Sequence, residues 1–122
     1  MAQHNERGTK AENIAAEYLA GKGYRIMERN WRHYHKEIDI IAEKDTKLII
    51  VEVKARQEGG EENVSEIFSK GKMRNMVDAA EAYIFKEDIH KEVRFDFFLV
   101  IFDPLGHKVQ HIPEAFIPGV NW

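Results

Sequence analysis

Glu37-Ile38-Asp39-Ile40-Ile41-Ala42 and Leu48-Ile49-Ile50-Val51-Glu52-Val53-Lys54 are two apolar, β-branched runs with a short polar break between them. They read as two strands joined by a hairpin. Side chains alternate across a strand, so Glu37 and Asp39 share a face with Ile41, and Leu48, Ile50, Glu52 and Lys54 share a face of the second strand. The charged faces coincide only if the connecting loop has an even number of residues, which Lys44-Asp45-Thr46-Lys47 satisfies. That register sets Asp39 opposite Glu52 and Glu37 opposite Lys54. Like charges placed opposite each other on a sheet cost ~0.2–1 kcal/mol, and more when desolvated. A positive group is therefore expected between them.

Working outward, Thr9 with Glu12 three residues later reads as a capping box, and Ala11, Ile14, Ala15, Tyr18 and Leu19 mark one helix face that Gly21 or Gly23 ends. Tyr24 to Arg29 alternates as a strand, followed by a basic and aromatic link from Trp31 to Lys36. After Arg56, the stretch Gln57 to Asn63 is acidic and glycine-bearing and reads as a mobile loop. Met73, Met76, Val77, Ala80, Tyr83 and Ile84 predict a second helix that starts within Ser65 to Lys70 and runs to about Lys86. Val93 to Phe102 reads as a strand buried on both faces, Asp103-Pro104-Leu105-Gly106 as a turn, and Lys108 to Ile112 as a returning edge strand. The helical crossover makes the third and fourth strands parallel. The prediction is an α/β domain over residues 1–122 with a mixed five-stranded sheet flanked by helices.

The chain has 122 residues, 32% of them charged and 43% apolar, and a formal net charge of −3. This excludes a protein that coats duplex nucleic acid by charge alone. No apolar run approaches the ~20 residues of a membrane span. The polar start, Met1 to Lys10, lacks the apolar segment of a secretory signal, so the cytoplasm is the expected compartment. With no cysteine, disulfides and thiolate metal sites are ruled out.

An acid on one strand and Glu-x-Lys on the next is the pattern that a metal-dependent phosphodiesterase needs. Asp39, Glu52 and the backbone oxygen of Val53 offer the oxygen ligands that Mg²⁺ or Mn²⁺ prefers. Lys54, on the face of Glu52, can orient the attacking water and offset charge on the phosphate. The same four charges also fit a solvated sheet face with a Glu37–Lys54 pair, but their setting among the most apolar strands disfavours that. Glu12 can face the metal from the first helix as well as cap it. Arg32, Lys36, Arg56, Lys70 and Arg74, with Lys72 nearby, are the candidates for a phosphate track. His33 and His35 lack a third ligand and are not read as a zinc site. Arg94 and Asp96 are read as structural.

Ala11-Glu12, Tyr18-Leu19, Gly23-Tyr24, Asn30, Glu37 to Ala42, Val51-Glu52-Val53-Lys54-Ala55-Arg56, Ala79-Ala80, Tyr83 and Arg94-Phe95-Asp96 together resemble the YraN-like family of small bacterial proteins. That family resembles the PD-(D/E)XK, or restriction-endonuclease-like, nucleases and, among these, the archaeal Holliday-junction resolvases. The resemblance implies an αβββαβ core, metal binding at Asp39 and Glu52, catalysis by Lys54, a contributing carboxylate at Glu12, and roles for Glu37 and Arg56 beside substrate. Ile38 stands where many such nucleases carry proline, and Lys36 where the family is expected to have glycine. The implied function is hydrolysis of DNA phosphodiester bonds, on branched or single-stranded DNA of recombination or repair, with a homodimer allowed for. The rival expectation is an interaction module that keeps the fold without turnover.

Overall fold

The computed structural model describes residues 2–60 and 63–120, so Glu61 and Glu62 of the expected acidic loop lie outside the described residues. The elements are α1 (Ala2–Gly21), β1 (Arg25–His33), β2 (Lys36–Lys44), β3 (Lys47–Gln57), a short α2 (Val64–Ile67), α3 (Lys70–Glu87), β4 (Glu92–Asp103) and β5 (Gly106–Phe116). The strands form one sheet in the order β1-β2-β3-β4-β5, with β3 and β4 parallel and the other neighbours antiparallel. This is the predicted mixed sheet.

The two central strands are buried because both faces are covered. Odd and even positions of β3 divide cleanly. Leu48 and Ile50 pack with Met76, Ala80 and Tyr83 of α3, whereas Ile49, Val51 and Val53 pack with Ala11, Ala15 and Leu19 of α1. Complete burial of a Leu or Ile contributes about 1.5–3 kcal/mol, so this alternation fixes the register strongly. β3 and β4 pair from Lys47↔Glu92 to Gln57↔Phe102, which brings the end of β3 out level with the rim of the sheet.

α1 differs from its prediction at its start. It begins at Ala2, so Thr9 lies inside the helix and no capping box forms with Glu12. Its first turns are polar, and the apolar periodicity appears only where the helix reaches the sheet, so the pattern marks the start late. The end is as expected: Gly23, at φ 92°, supports Gly23 N–H to Ala20 C=O at 3.1 Å and Tyr24 N–H to Leu19 C=O at 3.0 Å, the paired bonds of a Schellman motif. A Cβ at Gly23 would lie 2.9 Å from Lys44 Nζ. β1 is longer than predicted and runs through Trp31 to His33, leaving a tight turn in which Tyr34 takes φ 58°. That residue carries the left-handed step, so Lys36 enters β2 without need of glycine. β3, β4 and β5 likewise extend beyond their predicted ends, and Ser69 caps α3 by accepting from Lys72 N–H at 3.3 Å.

Asp96 is fully buried on β4 and ties that strand to β5 and, through Arg94, to Tyr24. Its oxygens accept from Arg94 Nε at 2.9 Å, Arg94 Nη2 at 2.7 Å and Glu114 N–H at 3.0 Å, and His111 Nε2 lies 2.7 Å away. Arg94 Nη2 also donates to Tyr24 Oη at 2.7 Å. A register shift between Phe95 and Phe97, with Glu114 at φ 48°, turns the Glu114 N–H toward the carboxylate. Burial pushes the Asp96 pKa up, but the bonds from Arg94, His111 and Glu114 outweigh it and hold the carboxyl below its ordinary value of 3.8.

Because the folded-state pKa is depressed, this stabilisation is complete above the ordinary carboxylate value and is lost as pH falls through the folded one. Removing one partner of a buried charge pair costs about 3–5 kcal/mol. Asp96→Ala is expected to lose that much in chemical denaturation at pH 7, with the gap to wild type closing below pH 4. A loss under about 1 kcal/mol would contradict a keystone role.

Candidate functional site

The site is built where β2 and β3 part. Their ladder runs from Lys44↔Lys47 to Ile40↔Val51, in the predicted register, and one step further places Asp39 opposite Glu52. Ladder pairing stops there. Val53 N–H donates instead to Asp39 Oδ2 at 2.7 Å. Ile38, which strict alternation would put on the α1 side, packs with Ile41 on the α3 side, so β2 twists at Asp39. The twist exposes the end of the hairpin to the space between the two helices.

That space is a cleft of about 1240 Å³. Asp39, Glu52, Val53 and Lys54 form its floor. Glu12 and Thr9 of α1 line one side, Lys72, Asn75 and Met76 of α3 the other, and Arg32, Lys36, Glu37 and Arg56 its approaches. The structure thus gathers Glu12, Glu37, Asp39, Glu52, Val53, Lys54, Arg32, Lys36 and Arg56 in one place. Lys70 and Arg74 are exposed on α3 and do not line the cleft. The reason is helical phase: they lie four residues apart on one face, while Lys72 shares the other face with Asn75 and Met76.

The carboxylates crowd each other. Burial first, and the charge of Glu52 second, hold the Asp39 carboxyl well above the ordinary carboxylate range, against the Val53 N–H bond. Burial also raises Glu12, with Glu37 and Glu52 adding and Asn30 and Arg29 opposing. Glu12 lies 4.0 Å from Arg29, which is itself held by Asn13 at 2.7 Å. Glu37 pairs with Arg32 at 3.7 Å instead of crossing to Lys54, and Lys36 bonds Asp78 of α3 at 2.7 Å.

The expected cation between the acids is Lys72, which sequence reasoning placed only at the margin of a phosphate track. Its Nζ donates to Glu52 Oε2 at 3.2 Å. Glu52 is a partner twenty positions away, so no local spacing reveals the contact. One local signal existed: Lys70 and Lys72 occupy the first turn of α3, which has no acidic residue, where the helix field disfavours cations. Lys54 sits against Lys72, and burial together with that neighbour lowers its pKa, with Glu52 and Asp39 opposing.

Among the described residues no three His, Asp or Glu side chains close on a single point. The donor set is instead two carboxylates with a backbone carbonyl beside them. Such a set fits Mg²⁺, which binds through one or two carboxylates and keeps several waters. The raised Asp39 carboxyl adds to the fit, since a divalent ion would favour the charged form that burial first, and the neighbouring Glu52 second, disfavour.

The fold is that of the restriction-endonuclease-like α/β class, with the αβββαβ order and the mixed sheet in place. The family model described as "Uncharacterised protein family UPF0102" matches residues 11–100, which contain every residue of the cleft floor. The UPF0102 protein of Phocaeicola vulgatus is 38% identical over 120 residues, covering 98% of this chain and 99% of its own. That of Bacteroides thetaiotaomicron is 43% identical over 118 residues, at 97% and 98% coverage, and that of Christiangramia forsetii 39% over 116, at 95% and 98%. The chain belongs to the UPF0102 family, the YraN-like family that its residues resemble. Among the described residues no helix is long and apolar enough to cross a membrane.

A raised folded-state pKa means that the metal-free protein loses stability as pH rises from the ordinary carboxylate value, 3.8 for Asp, through the folded one. Asp39→Asn, which keeps an acceptor for Val53 N–H, removes the repelling charge. In a chelator at pH 7.5 it is expected to melt a few degrees above wild type, an increment of ~1 kcal/mol. Melting at or below the wild-type temperature would show that the two acids do not repel.

Proposed function

We propose that this protein is a metal-dependent endonuclease that hydrolyses DNA phosphodiester bonds, with Mg²⁺ or Mn²⁺ as cofactor. The observation that carries the reading is the crowding of Asp39 and Glu52 at the cleft floor with Lys54 on the same side. A solvated sheet face would spread these charges into water. Here they are drawn together between two helices, at a cost that a bound cation would remove.

In this reading Asp39, Glu52 and the Val53 carbonyl hold the ion. When bound, Mg²⁺ supplies Lewis acidity that polarises the phosphodiester. Lys54 orients the attacking water and offsets the charge that grows on the phosphate. Its lowered pKa favours releasing a proton more readily than a surface lysine does. Glu12, with its raised pKa, holds a water on the α1 side of the cleft. Glu37 keeps Arg32 along the approach, and Arg32, Lys36 and Arg56 contact flanking phosphates.

Substrate shape follows from the same groups. A net charge of −3 leaves few cations for a long duplex, so affinity rests on this small set. Beside the cleft, the β1–β2 turn presents Tyr34, 87% exposed, with its ring 4.6 Å from His33, which in turn stacks on Trp31 at 6.3 Å. Trp31 is braced by Tyr83 at 5.2 Å and faces inward, so Tyr34 and His33 are the rings open to an unpaired base. Branched or single-stranded DNA is favoured over linear duplex on this account.

The test is cleavage in Mn²⁺ of a panel containing linear duplex, single strand, flap and four-way junction. Asp39→Ala and Glu52→Ala are expected to lose more than the ~10–100-fold that supporting residues of a metal site cost. Lys54→Met should lose turnover while still binding Mn²⁺. Wild-type protein that binds branched DNA but cleaves nothing would favour an interaction module that keeps the fold without turnover.

A further inference from the structure

Lys72 has no part in the roles assigned above, yet its ammonium lies on Glu52 at 3.2 Å and against Lys54. Its position carries a penalty. The first turn of α3 holds no acid and two lysines, so the helix field acts against the charge. Lys54 places a second amine at the same spot, and although burial works against the Lys72 charge, the bond with Lys54 and the charges of Glu52 and Asp39 hold it. A lysine needed only to cover α3 would extend into solvent, as Lys70 does. The side chain of Lys72 is instead 41% exposed and turned into the cleft, with its charge on a carboxylate whose own side chain is 11% exposed.

We infer that Lys72 is an exchangeable counter-ion: it holds Glu52 when the metal is absent, gives way when a divalent cation arrives, and then binds a non-bridging oxygen of the DNA phosphate in the cleft. The inference rests on the proposed metal site at Asp39 and Glu52. A divalent cation at Glu52 would compete with the ammonium for the charge of the same carboxylate, and its entry would free Lys72. Once released it remains beside Lys54, on the wall that a phosphodiester over the floor must pass. Metal and phosphate binding are thereby coupled through one side chain. Lys72 is a positioning residue for the acids in the free protein and a phosphate ligand in the loaded one.

The two roles have opposite signs when the charge is removed, which separates them from a merely structural contact. Lys72→Met keeps the aliphatic stem that packs at the cleft wall. Titration calorimetry with Mn²⁺ alone should give about 3- to 10-fold tighter binding for Lys72→Met than for wild type, because the competitor is gone. Binding of a short oligothymidylate in Ca²⁺ should weaken, and its log–log salt slope should fall by about 0.7, the loss of one phosphate contact on a single strand. Lys72→Arg should bind the oligonucleotide near wild type. Mn²⁺ affinity unchanged or weakened in Lys72→Met, with wild type still binding Mn²⁺, would overturn the exchange. If neither protein binds Mn²⁺, the metal site itself is overturned. Mn²⁺ binding seen only in Lys72→Met would support the exchange in its strongest form.

Discussion

Two carboxylates held opposite each other on adjacent central strands are the constraint around which the site end of this protein is arranged. Asp39 and Glu52 cannot drift apart, because β2 and β3 are locked in register by side chains buried on both faces of the sheet. Nor can the acids turn fully to water, since α1 and α3 flank the strand ends. The ladder gives way at this point: Val53 bonds to a side chain where a further strand pair would be, and β2 twists at Asp39. The local break in β-structure turns an unfavourable pair of charges toward a cleft.

The rest of the fold supplies rigidity to that arrangement from a distance. On the α1 face of β4, the buried Asp96 gathers Arg94, His111, Glu114 and, through Arg94, Tyr24. This network ties β5 to β4 and to the segment that follows α1, the helix carrying Glu12. It contributes no group to the cleft floor, and the Asp96 charge is met by Arg94 within the network. The two acidic centres are thus opposites: one satisfied by fixed partners, the other with Lys72 on Glu52 and an elevated pKa on Asp39.

Much of this was legible in the chain. The hairpin register followed from strand alternation and loop parity, and it held even though the turn is the tighter Asp45-Thr46, with Lys44 and Lys47 paired. The floor residues could be named because a strand of Ile and Val has no packing use for Glu52 or Lys54. The start of α1 was not legible, since turns that lie beyond the sheet need no apolar stripe. Lys72 was hidden for a related reason. Its partner is supplied by tertiary structure, and the visible pair on α3, Lys70 with Arg74, lies on the opposite helix face. The twist that moves Ile38 to the α3 side also breaks strict alternation, and nothing local in Lys36 to Ile40 announces it.

The proposed function requires that the crowded acids form one divalent-cation site. Anomalous diffraction from crystals soaked in Mn²⁺ addresses it directly. The expected result is one strong peak within reach of Asp39 and Glu52, with Lys72 moved off Glu52. A Mn²⁺ peak elsewhere, with the Asp39 and Glu52 side chains unshifted and Lys72 still on Glu52, would contradict it.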